Sequence, residues 1–562
     1  MALKLLVTLI QQERWNGAGS GTISIQNQGP AIPNWSFNLK TAGFTINEFW
    51  QFDIVGTGND VTIKGKSWNL NFPANAILTS GFAYTGTTAW SAESKTPGVT
   101  IDVEGDEPVP PQPGDVELDL SRGKNVFGYY SEWSIYQRQF TVEMIPAKQL
   151  THVIYAFLLP NPSQADFDLL AHNYPFPPKP YTPPPAIPEG QLVYHDTAAG
   201  QENINKLRAL KQQNPHLKVL ISTGGWTLSW TLSKVAANPT LRRTFVSSFA
   251  SFVVTNGFDG CDIDWEYPGK QGIGFNYIDE NDPANFATLL KELKAELNRI
   301  SPNKYILIVS AMGTNPIVIE NYRQVEPYLD HILMMTYDYY GSFGDGGHLA
   351  GLHHGGDMDP AFNVTAAVQK SLSLFPANKL NLGLPLYGRG WAKIIPTDPK
   401  NPIYGKSVGG PGVSYSGDAG EPGLTSWRHL KPVINKNGLK EYFDSEANAY
   451  YVHNDITGET WSYDNEKSIA LKTQYAIDQS MGGIMFWELS DDLRNDNRNS
   501  LIANAVNVIN DNPANKGEKG DHGNDKGNTK GESLSGITVI IINNRDTDLV
   551  IKPGESLTVT IP

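Results

Sequence analysis

Eight short apolar runs, separated by helix-length segments, constrain this chain more than any other feature. They fall at 126–130, 152–157, 219–222, 260–266, 306–311, 332–338, 380–386 and 483–488. Most carry apolar residues on both faces, which is the mark of strands in a parallel sheet covered on two sides. Between them lie amphipathic stretches such as 284–300, with apolar residues at helical spacing. Eight β–α units in succession predict an α/β fold, a (β/α)8 TIM barrel over 118–510. The stretch 391–463, between the seventh and eighth runs, is long enough for an inserted small α+β subdomain. The stretch 161–200 contains PFPPKPYTPPPAIP and is expected to lack regular structure.

The flanks differ in character. Residues 1–104 are rich in Thr, Asn, Gly and aromatics, with short alternating runs between turn residues, and predict an all-β sandwich. Residues 105–117 are acidic and Pro-rich and read as a linker; 511–535 are almost devoid of apolar side chains and read as a flexible one. The tail, 536–562, alternates like strands but is too short to bury a core. It either docks on the chain itself or makes the protein part of a larger assembly. The opening MALKLLVTLI is followed by Gln11-Gln12-Glu13-Arg14 where a cleavage site would need small residues, so it reads as a first strand.

Composition removes several classes of function. A net charge of −14 argues against nucleic acid as a partner and suits a neutral polymer. No apolar run approaches ~18 residues, so no membrane partner is expected. A single cysteine, Cys261, excludes intramolecular disulfides and multi-thiolate metal sites. No cofactor and no metal are expected. The cluster His348, His353, His354 and Asp357 is read as a polar loop.

The chemistry concentrates in Asp259-Gly260-Cys261-Asp262-Ile263-Asp264-Trp265-Glu266. Along a strand, alternate residues share a face, so Asp262, Asp264 and Glu266 line one side while Ile263 and Trp265 face the other. Neighbouring carboxyls in such a row lie about 6.5 Å apart by strand rise. Three acids this close resist simultaneous ionisation, so at least one is held protonated near neutrality, as a general acid must be. A calcium site would want a looping, Gly-broken backbone in place of these apolar strand formers.

With these residues the chain resembles glycoside hydrolase family 18, the chitinases, over about 120–505. Ser222-Thr223-Gly224-Gly225-Trp226, Met335-Thr336-Tyr337-Asp338, Tyr387-Gly388-Arg389-Gly390-Trp391 and Trp487-Glu488 match further family motifs in order. Tyr129-Tyr130-Ser131-Glu132-Trp133 resembles the first strand of the bacterial A-type enzymes, which also carry an insertion between strands seven and eight. The chain departs from the family at Cys261, where an aliphatic residue is usual. The resemblance implies that Glu266 protonates the leaving oxygen, that Asp264 and Tyr337 act on the substrate acetamido group, and that Asp262 shares a proton with Asp264. It also implies a structural role for Asp259. Substrate binding would fall to Asp338, Met335 and Trp487, with Tyr387 and Arg389 near them. Tyr129, Trp133 and Trp226 would serve as sugar platforms. The glycines and Ser222 read as a tight strand end.

A retaining glycosidase with a protein nucleophile needs two carboxyls flanking the bond, about 5–5.5 Å apart. Acids rising from one strand do not reach the opposite face, whereas the substrate's own acetamido oxygen does. The resemblance implies this substrate-assisted route: retaining hydrolysis of β-1,4 bonds in chitin or N-acetylglucosamine oligosaccharides through an oxazolinium intermediate. The alternatives are an endo-β-N-acetylglucosaminidase on N-glycans and a non-catalytic chitin-binding subunit. Trp15-Asn16-Gly17, Trp35, Trp50, Trp68-Asn69 and Gly81-Phe82 follow one another as in family 2 carbohydrate-binding modules, which residues 3–101 resemble; the resemblance implies that Trp15, Trp50 and Trp68 stack on polysaccharide while Trp35 is core. A secreted protein is expected.

Overall fold

The computed structural model describes residues 116–173, 187–416, 421–494 and 496–511, most strands of the N-terminal region, and two short tail strands. Two compact units result, one comprising the N-terminal region with the tail, the other the central residues from Asp115 to Lys519.

In the central unit eight parallel strands close into a barrel. They are β1 (Asn125–Ser131), β2 (His152–Pro160), β3 (Lys218–Gly224), β4 (Gly260–Asp264), β5 (Leu307–Gly313), β6 (His331–Met335), β7 (Leu380–Pro385) and β8 (Gly483–Trp487). Each pairs with its sequence neighbour, and β1 pairs with both β2 and β8, which closes the ring. Phe127, Ile154, Leu220, Leu307, Leu333 and Met485 pack in one buried cluster inside it. Cys261, Ile263 and Trp265 belong to the larger cluster shared with the helices, such as Phe286 and Leu290 of Asp282–Ile300. The alternation of β4 thus separates acids from apolar residues, as a two-sided strand requires.

Two expectations are corrected. The stretch 161–200 is partly regular: it holds the helix Gln164–Asn173 and a strand, Leu192–Tyr194, added antiparallel to β2. Its Pro-rich core lies largely outside the described residues. The inserted subdomain begins before 391, because Tyr387–Trp391 is not the close of β7 but the second strand of the insert's own sheet. That sheet runs Leu424–Ser426, Tyr387–Trp391, Thr460–Tyr463, Ala449–Asn454, Leu439–Asp444.

The N-terminal unit carries two larger sheets. One contains Leu3–Trp15, Ala18–Asn27, Ile77–Gly86 and Phe44–Phe49; the other contains Val99–Glu104, Ser36–Lys40, Asp60–Gly65 and Phe52–Thr57. Phe49, Phe52, Ile63 and Phe82 are buried, with Phe49 5.7 Å from Phe52 and 5.6 Å from Phe82 by ring centroids. The tail strands join these sheets: Ile537–Ile540 pairs with Leu3–Leu6, and Thr558–Val559 with Val99 and Thr100.

The floor of the barrel holds two histidines. His152 stacks on Phe127 at 4.1 Å and His331 meets the same ring edge-on at 5.5 Å. Burial pushes both below the usual range, His331 to about 4. The unfolded chain, with histidines near 6.5, takes up protons that the folded barrel refuses. These two histidines therefore weaken the fold as the pH drops from about 6.5 towards 4, by roughly 1.4 kcal/mol per pH unit each, while the buried acids Asp262, Asp264 and Glu266, raised by burial, act in the opposite sense. Thermal unfolding of the parent and of His331→Gln, compared across that window, should show the variant gaining stability relative to the parent as the pH falls, by one histidine's share of the slope.

Candidate active site

β4 ends at Asp264, so Glu266 stands just beyond the strand rather than on it. Its backbone is fixed by other elements. The Glu266 N–H donates to Ser229 Oγ at 3.0 Å, and Asn276 Nδ2 donates to the Glu266 carbonyl at 2.8 Å. Ser229 Oγ also lies 3.0 Å from the Asp264 carbonyl, tying the exits of β3 and β4 together. Two glycines permit this closeness. A Cβ on Gly224, whose φ is +110°, would sit 2.1 Å from the Asp264 carbonyl oxygen, and one on Gly272 would sit 2.2 Å from that of Glu266. Ser229, Asn276 and Gly272 escape sequence reasoning. They act on main-chain atoms of a distant segment, and such contacts leave no spacing pattern.

All three acids are buried. Asp262 Oδ2 accepts from Ser222 Oγ at 2.5 Å and from the Tyr129 hydroxyl at 3.0 Å. Asp262 Oδ1 and Asp264 Oδ1 are buried without a hydrogen-bond partner. Burial pushes Asp262 up to about 7, against the pull of the Ser222 and Tyr129 hydrogen bonds. Burial, then the charges of Glu266 and Asp262, pushes Asp264 up as well. Glu266 rises to about 8, again chiefly through burial, with a hydrogen bond to Tyr267 opposing and the charge of Asp338 adding. At neutral pH the site therefore holds a protonated Glu266 above a pair of acids that do not ionise together.

Around the acids the mouth is aromatic. Trp487, at the end of β8, stacks on Phe157 at 5.8 Å and 20° and meets Tyr129 edge-on at 5.2 Å. Met335 and Tyr337 are half-buried on the same wall, with the Tyr337 hydroxyl 3.9 Å from Met485 Sδ. Asp338 has both oxygens engaged: Arg389 Nε donates to Oδ1 at 2.8 Å, and the Tyr387 hydroxyl to Oδ2 at 2.9 Å. Arg389 also pairs with Glu421 of the insert. Trp133 and Trp226 stand 40% and 46% exposed, open to a ligand.

Two sequence readings change here, those of Tyr129 and Ser222. Tyr129 is buried with its hydroxyl on Asp262, so it is a support for the acids and not an open sugar platform. Ser222 is more than a strand end, since it donates to the same carboxylate. Asp259 lies away from the mouth, accepting from the Val219 N–H at 3.0 Å and pairing with Lys211 at 2.6 Å. Trp50, Trp68 and Trp35 lie outside the described residues, as does the side chain of Trp15. Of the histidine cluster, His348 bonds Asp444, His353 bonds Thr365 and His354 bonds the Met358 carbonyl. No group of three or more His, Cys, Asp or Glu side chains is arranged to hold a metal ion among the described residues.

Comparison with known proteins gives the family of the chain. The family model for glycosyl hydrolases family 18 matches residues 125–492, and the chain belongs to that family. The model for a cellulose binding domain matches residues 6–102. Chitinase A1 of Niallia circulans is 33% identical over 424 residues, covering 67% of this chain and 58% of that one. Chitinase A of Pseudoalteromonas piscicida is 31% identical over 422 residues, covering 66% and 51%. The chain thus spans a little over half the length of these two relatives. The solved structure of chitinase ChiA74 from Bacillus thuringiensis is similar with a TM-score of 0.59 at 29% identity, covering 69% of this chain and 70% of that one.

Proposed function

We propose that the chain is a chitinase, hydrolysing β-1,4 bonds between N-acetylglucosamine units with retention of configuration and with the substrate's acetamido group as nucleophile. The observation that carries this reading is the placement of the acids. Glu266, Asp264 and Asp262 rise from one strand end, with Glu266 held protonated by burial. Asp338, whose charge reaches Glu266 from beyond β6, has both oxygens held by Arg389 and Tyr387 and so is a poor nucleophile.

In this reading Glu266 gives its proton to the glycosidic oxygen. Asp264 holds the acetamido N–H, and Asp262 takes up the proton that Asp264 must share as charge develops. Tyr337 directs the acetamido carbonyl at the anomeric carbon, and Trp487 forms the floor under the reacting sugar. Trp133 and Trp226 extend the platform, and Met335 packs beside the acetamido group. Comparison of colloidal chitin with a high-mannose glycoprotein tests the substrate: chitin should be cut, and cleavage of the glycoprotein alone would overturn the assignment.

The pH profile checks the roles of the acids. An alkaline limb in kcat/KM is expected at about pH 8, where Glu266 loses its proton. Ser222→Ala removes a hydrogen bond that favours the Asp262 carboxylate, so it should raise that pKa and move the acidic limb up by about half to one unit.

The N-terminal unit would hold insoluble polysaccharide through Trp15, Trp50 and Trp68, placing hydrolysis outside the cell where such polymers are met. Replacing all three by Ala should lower the fraction of protein that sediments with insoluble chitin. Undiminished sedimentation would assign these residues to the sandwich core.

A further inference from the structure

Glu132 is a buried acid for which the reaction above has no use. It is 1% exposed and directly precedes Trp133, one of the most open aromatic side chains of the mouth. The Tyr155 hydroxyl donates to its Oε1 at 2.6 Å. Its Oε2 accepts from the Asp196 N–H at 3.0 Å and lies 3.1 Å from His195 Nδ1. Asp196 in turn caps the helix Thr197–Gln213 through the N–H groups of Ala198 and Ala199 and accepts the Tyr136 hydroxyl. The front of the segment carrying Trp133 is therefore bound to β2 and to a helix start.

The rear of the same segment is bound elsewhere. Arg138 pairs with Glu488 and, at 3.0 Å, with Asp491. Glu488 follows Trp487 directly in the chain. Phe157 lies between the two tryptophans, 6.3 Å from Trp133 and 5.8 Å from Trp487. A short turn that only had to close over the barrel would not need a desolvated carboxylate with three partners, because burying such a charge is costly unless its bonds are complete. Burial does push the Glu132 carboxyl above its ordinary range, with the His195 and Tyr155 bonds opposing. What the bonds secure is the direction and spacing of Trp133.

We infer that Glu132 is a positioning residue: by holding the front of a segment whose rear Arg138 ties to the residue after Trp487, it fixes Trp133 relative to Trp487 and so sets the preference for long polymer over short oligosaccharide. The inference rests on the reading of Trp133 as a sugar platform. Its effect falls on substrates long enough to reach that ring, since a side chain that is correctly placed in advance spares the ordering otherwise charged to binding.

The test uses the full chain. Glu132→Gln should lower kcat/KM for a six-unit N-acetylglucosamine oligomer about tenfold while leaving kcat on a two-unit chromogenic substrate unchanged. In a Trp133→Ala background the same change should have no further effect, because the acid acts only through the ring. His195→Ala, a milder change at a partly exposed residue, should shift the long-to-short ratio in the same direction by less, and carries the test if Glu132→Gln does not fold. Hydrogen exchange gives a reading that needs no turnover: amides of 132–138 should exchange about tenfold faster in Glu132→Gln and faster by less in His195→Ala, with β4 unaffected. Equal loss on both substrates, additivity with Trp133→Ala, or unchanged exchange would overturn the inference. If the parent cuts no oligomer, the chitinase reading fails by itself, and exchange still decides whether Glu132 holds this segment.

Discussion

Glu266→Gln should reduce kcat on chitin oligosaccharides by about 10²–10⁴-fold, the range a positioned general acid contributes, while binding of the oligomer stays close to that of the parent. The amide keeps the volume and polarity of the side chain but has no proton of suitable acidity to give. The backbone at this position is held by Ser229 and Asn276, neither of which touches the altered atoms, so the surrounding geometry should persist. The pH profile of residual activity adds a second check: the limb near pH 8 should vanish with the group that causes it. Retained turnover would remove Glu266 from the role of acid.

Fully deacetylated chitosan should not be cut at a measurable rate, and this is the second large effect. Without the acetamido oxygen no group in the site described is free to attack the anomeric carbon. Asp262 and Asp264 lie within the barrel and hold charge poorly, since burial raises both. Asp338 is bonded at both oxygens. The amino polymer still fits the cleft in shape, so the loss should appear in kcat far more than in binding. Efficient hydrolysis would require a protein nucleophile.

The barrel was legible in the sequence because each of its strands is a short apolar run bounded by helical periodicity, and the ring closes β1 on β8 as such alternation implies. The acid row was legible because alternation on β4 forces Asp262 and Asp264 to one side. The step from Asp264 to Glu266 was not, because the strand stops and three residues from other segments set the path. The start of the insert was misplaced for a related reason: Tyr387–Trp391 has the composition of a barrel strand end, and only its pairing with Leu424–Ser426 and Thr460–Tyr463 assigns it to the second sheet. Tyr129 illustrates the limit for aromatic residues. Its identity suits a sugar platform equally well, and burial alone tells the two uses apart.

The most direct measurement uses partially acetylated chitosan, cut to low extent and followed by sequencing of the new reducing ends. If the substrate's acetamido group displaces the leaving sugar, every new reducing end is an N-acetylglucosamine, whatever the sugar on the other side of the cut. New reducing ends bearing free glucosamine in proportion to its abundance would contradict the account.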